Sequence, residues 1–158
     1  MRTSYFGRIN SNAYKKFAGK CICISRTSKF WNGPSYPPLF PTWEMIKCED
    51  EEKFEKMYTE QILSKLDPMD IWADLGDDAI LICYESQDKI DSGEMFCHRH
   101  IVARWLEEGL KAYGINVEIK ELGPDDLDER SKKLIGLKSS RKSKAKKEKQ
   151  IPGQMSLF

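Results

Sequence analysis

The strongest constraint on the fold is a strand-helix-strand order in the second half of the chain. Ala79 to Tyr84 reads AILICY, a short continuous apolar run of the kind that forms a strand buried on both faces. After a loop, His98 to Tyr113 carries Ile101, Val102, Trp105, Leu106, Leu110 and Tyr113 at helical spacing, and Gly114 stops it. Asn116 to Leu122, NVEIKEL, then alternates as a half-buried strand. A crossover of this type favours a parallel sheet with helices on its faces. The predicted fold class is therefore α/β, a small, mainly parallel, Rossmann-like three-layer sheet.

The first half fits that frame. Thr3 to Phe6 is β-prone, and Lys20 to Ser25 is a clearer strand, with Ile22 and Ile24 alternating with Cys21 and Cys23. The following RTSKFWNGPSYPPLFP is rich in Pro, Gly and aromatics and predicts an ordered loop. Pro41 suits the first turn of a helix through Trp43, Met45 and Ile46. Glu51 to Lys65 spaces Phe54, Met57, Tyr58, Ile62 and Leu63 as one helical face. Asp67-Pro68 caps and opens another helix, which Gly76 closes. A short helix is predicted around Asp125 to Ile135, which ends a domain over 1–135.

No apolar run is long enough to span a bilayer, and the first residues lack a secretory signal, so the expected address is cytoplasmic, away from membranes. Five cysteines (Cys21, Cys23, Cys48, Cys83, Cys97) leave one unpaired under any full pairing and are expected as reduced thiols. The net charge of +1 conceals a division. From Gly136 onward lie Lys138, Arg141, Lys142, Lys144, Lys146, Lys147 and Lys149 against Glu148 alone, so this part carries +6 and the rest −5. Residues 136–153 form a Lys-rich linker nearly free of large apolar side chains, predicted to be disordered. Such a stretch beside duplex DNA would meet phosphates without reading sequence.

Hydrophobicity returns after that linker as Gln154-Met155-Ser156-Leu157-Phe158. Anchor side chains following a solvated stretch are the pattern of a short linear motif. QMSLF resembles the bacterial sliding-clamp-binding pentapeptide, whose consensus is Gln, Leu, Ser or Asp, Leu, Phe. The resemblance implies that Gln154 is the polar anchor, that Leu157 and Phe158 fill an apolar cleft, and that Met155 stands in for Leu. The archaeal and eukaryotic clamp motif requires further aromatics, so the implied setting is bacterial or phage, and the implied partner is the bacterial DNA sliding clamp.

The chemically richest part of the body is ILICYE and, after a loop, FCHRHIVARWL. Glu85 follows the central strand, and Cys97, His98, Arg99 and His100 open the next helix. Ligands of parallel α/β sheets bind at that edge; a helix N-terminus favours anions and lowers a thiol pKa, and Arg99 has the fork for a phosphate or carboxylate. This pattern resembles the family known as domain of unknown function 488, whose members share a strand ending in Glu and a Cys-His-Arg corner. The resemblance runs roughly from Thr3 to Leu122 and takes in Ser25-Arg26, the Phe30-Trp31-Asn32-Gly33 loop and Tyr36. It implies an α/β fold, candidate chemistry at Glu85, Cys97, His98 and Arg99, and a ligand surface of Arg26, Phe30, Trp31, Asn32 and Tyr36. It assigns no activity and leaves the cofactor open.

Several readings of the corner compete. A phosphatase loop needs Arg six residues after the Cys, where Ala103 stands. Zinc ligands are available in Cys21, Cys23, Cys97, His98 and His100, yet Cys-x-Cys on a strand is core filling and no Cys-x-x-Cys occurs, so no metal is expected. Cys97 with His98 or His100 as its base would make a nucleophile. Glu85 and Arg99 would otherwise form a buried ion pair between strand and helix, or line a ligand site with His98 and Arg26. Phe30 and Trp31 suit base stacking or a lid on the core. Two functions follow: a clamp-tethered protein acting on DNA or its precursors in repair, replication or base modification, or a non-enzymatic clamp ligand, an adaptor or a phage factor competing for the host clamp.

Overall fold

The structure, a computed structural model, describes residues 1–27, 29 and 31–136. Phe30, the Lys-rich segment from Lys138 and the pentapeptide Gln154, Met155, Leu157 and Phe158 belong to the part of the chain outside the described residues.

Four strands, β1 (Arg2–Tyr5), β2 (Cys21–Cys23), β3 (Ile80–Cys83) and β4 (Lys120–Glu121), form one sheet in the order β2-β3-β1-β4. Every pairing is parallel. The α/β expectation holds. All four residues of β3 are buried, as its unbroken apolar sequence predicts for a strand covered on both faces. β1 lies between β3 and β4 and buries Thr3 and Ser4.

From β1 the chain runs through α1 (Phe6–Ile9) and a 3-10 segment, Lys15–Lys20, to β2. Between β2 and β3 lie α2 (Trp43–Ile46), α3 (Glu51–Gln61) and α4 (Pro68–Leu75). Between β3 and β4 lie α5 (Gln87–Asp91) and α6 (His98–Ala112), and α7 spans residues 129–136. The Asp50 and Asp67 side chains accept from the amides of Lys53 and Met69, so each caps its helix, and Pro68 opens α4. Gly76 and Gly114, at φ 85° and 81°, close α4 and α6 in a backbone region open chiefly to glycine.

Alternation along β3 divides the core. Leu81 and Cys83 face a cluster built with Met45, Phe54, Tyr58, Ile101, Val102 and Leu106 from α2, α3 and α6. Ile80 and Ile82 face the opposite cluster, with Phe6, Ile9, Tyr14, Cys21, Cys23, Leu122 and Leu127. On the first face α6 approaches α4 closely, since a Cβ placed on Gly109 would stand 2.3 Å from Pro68 Cγ.

Several predicted boundaries shift: the helix expected over Glu51–Lys65 ends at Gln61, with a 3-10 turn at Leu63–Lys65, and the strand expected over Lys20–Ser25 is Cys21–Cys23. Pro41 precedes its helix, because the Thr42 side chain accepts from Met45 N and so becomes the cap. The last strand shrinks from Asn116–Leu122 to Lys120–Glu121, because Lys120 pairs with Arg2, the first residue of β1, so the ladder has no earlier β1 residue to continue on. The predicted Asp125 helix begins at residue 129, where Asp128 accepts from Ser131 N at 2.8 Å. Between these lies a 3-10 turn, Pro124–Asp126. The helices α1 and α5 carry no periodicity long enough to register in the sequence.

Candidate functional site at the carboxyl edge of the sheet

β1 and β3 are neighbours, but the chain leaves β1 toward the β2 edge and leaves β3 toward the β4 edge. The two connections leave to opposite faces of the sheet, α1 packing on one and α6 on the other, and so open a crevice at the carboxyl ends of the two strands, which is where parallel sheets take ligands. A cleft of about 460 Å³ lies there, between Tyr5, Gly7 and Asn10 on one side and Tyr84, Glu85 and Ser86 on the other. A second, of about 590 Å³, opens toward α2 and α3 and is lined by Ser25, Thr27, Phe54, Phe96 and His98. Glu85 lines both. Both volumes suit a small molecule. Burial pushes the Glu85 carboxyl up from its ordinary range, against a backbone hydrogen bond and the Arg99 charge.

Arg99 does not reach into either cleft. It is fully buried, and its guanidinium is spent inside the protein. Nε and Nη2 donate to the two carboxylate oxygens of Glu121, each at 3.1 Å. Nη1 donates to the Glu85 carbonyl at 2.7 Å and lies 3.1 Å from Cys83 Sγ, while Nη2 also donates to Gln87 Oε1 at 3.1 Å. The Tyr5 ring lies 5.5 Å from the guanidinium carbon, within cation–π range. The predicted Glu85–Arg99 ion pair is thus replaced by a forked pair with Glu121, and only the Glu85 backbone is held. Glu121 reaches this place because β4 pairs with β1, where Thr3 Oγ1 also donates to it at 2.7 Å. Arg99 acts as a clasp joining α6, β4 and the chain leaving β3, so it fixes where Glu85 sits.

His98 is buried, and its Nε2 lies 2.7 Å from the Ile24 carbonyl. A carbonyl only accepts, so Nε2 carries the proton and Nδ1 keeps its lone pair. Burial lowers the imidazole pKa to about 4, with the Arg99 charge acting in the same direction and the Ile24 bond opposing. His100 points elsewhere, its Nε2 lying 2.9 Å from Gln87 Oε1. The expectation of five reduced thiols fails for two of them. Cys97, the residue preceding α6, is bonded through sulfur to Cys83 at the end of β3, while Cys21, Cys23 and Cys48 are free. In this form Cys97 has no free thiolate to act as a nucleophile.

Among the described residues of the proposed ligand surface, Arg26, Trp31, Asn32 and Tyr36 do not assemble at a cleft. Arg26 donates from Nε to the Pro41 carbonyl at 2.7 Å and lies over Phe40 and Trp43. Trp31 packs against Phe6 on the α1 face and donates to the Pro34 carbonyl at 2.9 Å, so it is bedded in the fold rather than offered for stacking. Tyr36 donates to Asp74 Oδ2 at 2.7 Å, and burial with that bond pushes its phenol up to about 12. Asn32 is exposed and lines neither cleft. The zinc set of Cys21, Cys23, Cys97, His98 and His100 is dispersed too, because Cys21 and Cys23 belong to the opposite core. Among the predicted residues that the structure describes, Glu85 and His98 alone meet at a cleft. Missed were Thr27, Phe54 and Phe96 in the lining, Cys83 beside Cys97, and Glu121; of these Cys83 had a signal, its place at the end of the strand that leads to Glu85.

Fold and site together define a small parallel α/β protein with two clefts at the carboxyl edge of its sheet and a buried Arg-Glu clasp behind them. No protein-family model, curated protein or solved structure matches the chain. No described helix is long and apolar enough to cross a membrane.

Proposed function

We propose that this is a sliding-clamp-binding, DNA-associated α/β protein of the kind grouped as domain of unknown function 488, acting in DNA repair, replication or base modification. The observation that carries the reading is the pentapeptide Gln154-Met155-Ser156-Leu157-Phe158 after a Lys-rich stretch. Burying a Leu and a Phe in a partner's cleft contributes roughly 1.5–3 kcal/mol each. With the cost of ordering the segment, that fits an affinity of about micromolar. A tether of this length raises the local concentration of the body at the clamp to about millimolar, where a weak site is effective. The Lys side chains then lie against DNA phosphates and release counterions. Glu85, at the junction of the two clefts, is the residue assigned to contact a small ligand, and Arg99 positions it.

The test is capture on purified bacterial sliding clamp of the full chain, of a chain ending at residue 153, and of a Leu157→Ala, Phe158→Ala variant. The full chain is retained and the other two are lost. Equal retention of all three overturns the reading.

One observation favours the non-enzymatic alternative, an adaptor or phage factor competing for the host clamp. The cation of the Cys-His-Arg corner is consumed by Glu121 and the Glu85 carbonyl, as in a structural clasp. An isolated peptide of residues 150–158 that reproduces the cellular effect of the full chain would decide for it. Loss of that effect in full-length Glu85→Ala, with clamp capture intact, would decide for a ligand site.

A further inference from the structure

Cys83, Cys97 and His98 converge in a way that neither the clamp nor the clasp requires. Cys83 Sγ, Cys97 Sγ and a ring nitrogen of His98 all lie within 4.8 Å of one another, and all three residues are buried. They stand on two regular elements, the last residue of β3 and the start of α6. His98 is already set as a ligand. Its Nε2 is held by the Ile24 carbonyl at 2.7 Å, which leaves Nδ1 unprotonated on the side of Cys97 Sγ, 4.0 Å away. A backbone carbonyl behind the imidazole is the usual outer-shell partner of a metal-bound histidine. Arg99 Nη1, 3.1 Å from Cys83 Sγ, favours the thiolate, and Glu121 balances its charge.

The spacing fits a tetrahedral ion. Bonds of about 2.3 Å to sulfur and about 2.0–2.1 Å to nitrogen place an S···N pair ~3.6 Å apart and two sulfurs ~3.8 Å apart. The S···N separation is close to that already. The Cα atoms of Cys83 and Cys97 are 7.5 Å apart, wider than the 4.4–6.8 Å that disulfides usually span, so the backbone leaves room for an ion between the sulfurs. Among the described residues no fourth histidine, cysteine or carboxylate group lies within that distance of all three, although Glu85 Oε2 stands 3.5 Å from Cys83 Sγ on the cleft side. Three protein ligands leave a fourth position, as in catalytic rather than structural zinc sites. His98 and Glu85 line the larger cleft, so that position is reached from there.

We propose that the reduced protein binds one zinc-class divalent ion through Cys83 Sγ, Cys97 Sγ and His98 Nδ1, with the fourth position open to the Glu85 cleft. Soft thiolates with an imidazole select zinc over magnesium or calcium. The sulfur–sulfur bond and the ion are mutually exclusive. A dithiol reductant supplies two electrons and two protons to the bond and is itself oxidised to a disulfide; the two thiols then lose their protons to solvent as the ion binds. Oxidation of the bound thiolates by a disulfide of higher potential reforms the bond and expels the ion. Occupancy of the site thereby follows the thiol poise of its surroundings. The proposal does not depend on clamp binding.

The experiment uses the full chain, reduced with a phosphine and exchanged into anaerobic buffer, titrated with Zn²⁺ against a chromophoric chelator and, separately, with Co²⁺. One ion per chain is expected, with thiolate-to-cobalt charge-transfer bands and the intense visible bands of a tetrahedral centre. Cys83→Ser, Cys97→Ser and His98→Gln each weaken zinc by about 100-fold or more, the upper end of what even outer-shell losses cost. Each Cys variant that still takes Co²⁺ shows half the charge-transfer intensity, a readout that separates ligand loss from poor folding. Cys21→Ser changes nothing, and the oxidised chain binds no ion. Failure of the reduced wild-type protein to bind, or binding that survives in Cys97→Ser with undiminished charge transfer, overturns the proposal and leaves the pair a structural crosslink.

Discussion

The two faces of the sheet are made from one strand pattern and yet differ in kind. The face under α1 and α7 holds Ile80, Ile82, Cys21, Cys23, Phe6 and Tyr14, packed as an apolar layer. The face under α2, α3 and α6 holds Leu81 and Cys83, and at its carboxyl end it gathers Cys97, His98, Arg99 and Glu121. Chemistry is confined to one side because side chains alternate along a strand. The registers Cys21↔Ile80 and Cys23↔Ile82 turn both cysteines of β2 to the apolar side, while Cys83, one residue beyond Ile82, turns to the other. Parity, not residue type, separates an inert thiol from a candidate ligand.

The contrast is most exposed to failure at the clasp. Arg99→Met leaves Glu121 facing the interior without its partner and should cost about 3–5 kcal/mol in urea unfolding. A loss under about 1 kcal/mol would mean that the polar face is no more coupled than its apolar counterpart. Thiol labelling probes the apolar side. Burial pushes the Cys21 thiol up to about 12, so its reactive thiolate is scarce at neutral pH. Iodoacetamide should modify the partly exposed Cys48 first, and mass spectrometry of the native chain should find Cys21 and Cys23 protected. Rapid labelling of Cys21 would show that the α1 side opens readily.

A smaller effect, with a reversed sign, is expected at Gly109. Gly to Ala inside a helix normally stabilises by about 1 kcal/mol. Here the added methyl meets the rigid Pro68 ring, and the α4–α6 contact should instead lose about 1–3 kcal/mol on thermal unfolding. A gain would show that the two helices have room to part. Ser4 is expected to give the smallest change. It pairs with Ile82 on the apolar side, and its hydroxyl is the one buried side-chain polar group among the described residues without a hydrogen-bond partner. Ser4→Ala should raise stability by about 1 kcal/mol. Destabilisation would reveal a partner for that oxygen.

Much of the fold was legible because strand and helix periodicities are local. Ile80–Cys83 was readable as a buried central strand from four apolar residues, and α6 from its spacing of Ile101, Val102, Leu106 and Leu110. Asp67-Pro68 and Gly114 marked their boundaries by backbone chemistry alone. The candidate site was legible only as residue types. Glu85 and His98 do meet at a cleft, but Arg26, Trp31 and Tyr36 are each taken by a neighbour that no spacing rule names: the Pro41 carbonyl, the Pro34 carbonyl with the Phe6 ring, and Asp74. The pentapeptide, by contrast, is read entirely from sequence, since a linear motif derives its meaning from a partner and not from its own chain.

Left to itself, the sequence determined the four strands and the longer helices, that the sheet is mainly parallel, and which edge carries the reactive side chains. These follow from periodicity, caps and the requirement that a crossover return the chain in the same direction. The tertiary structure alone decided that β1 inserts between β3 and β4, and therefore that Arg99 meets Glu121 rather than the Glu85 carboxylate. It also decided that Cys83, not Cys21 or Cys23, stands beside Cys97 and His98. Such pairings depend on strand order, and strand order is settled by which apolar faces bury best against one another across the whole chain, a quantity that no local window contains.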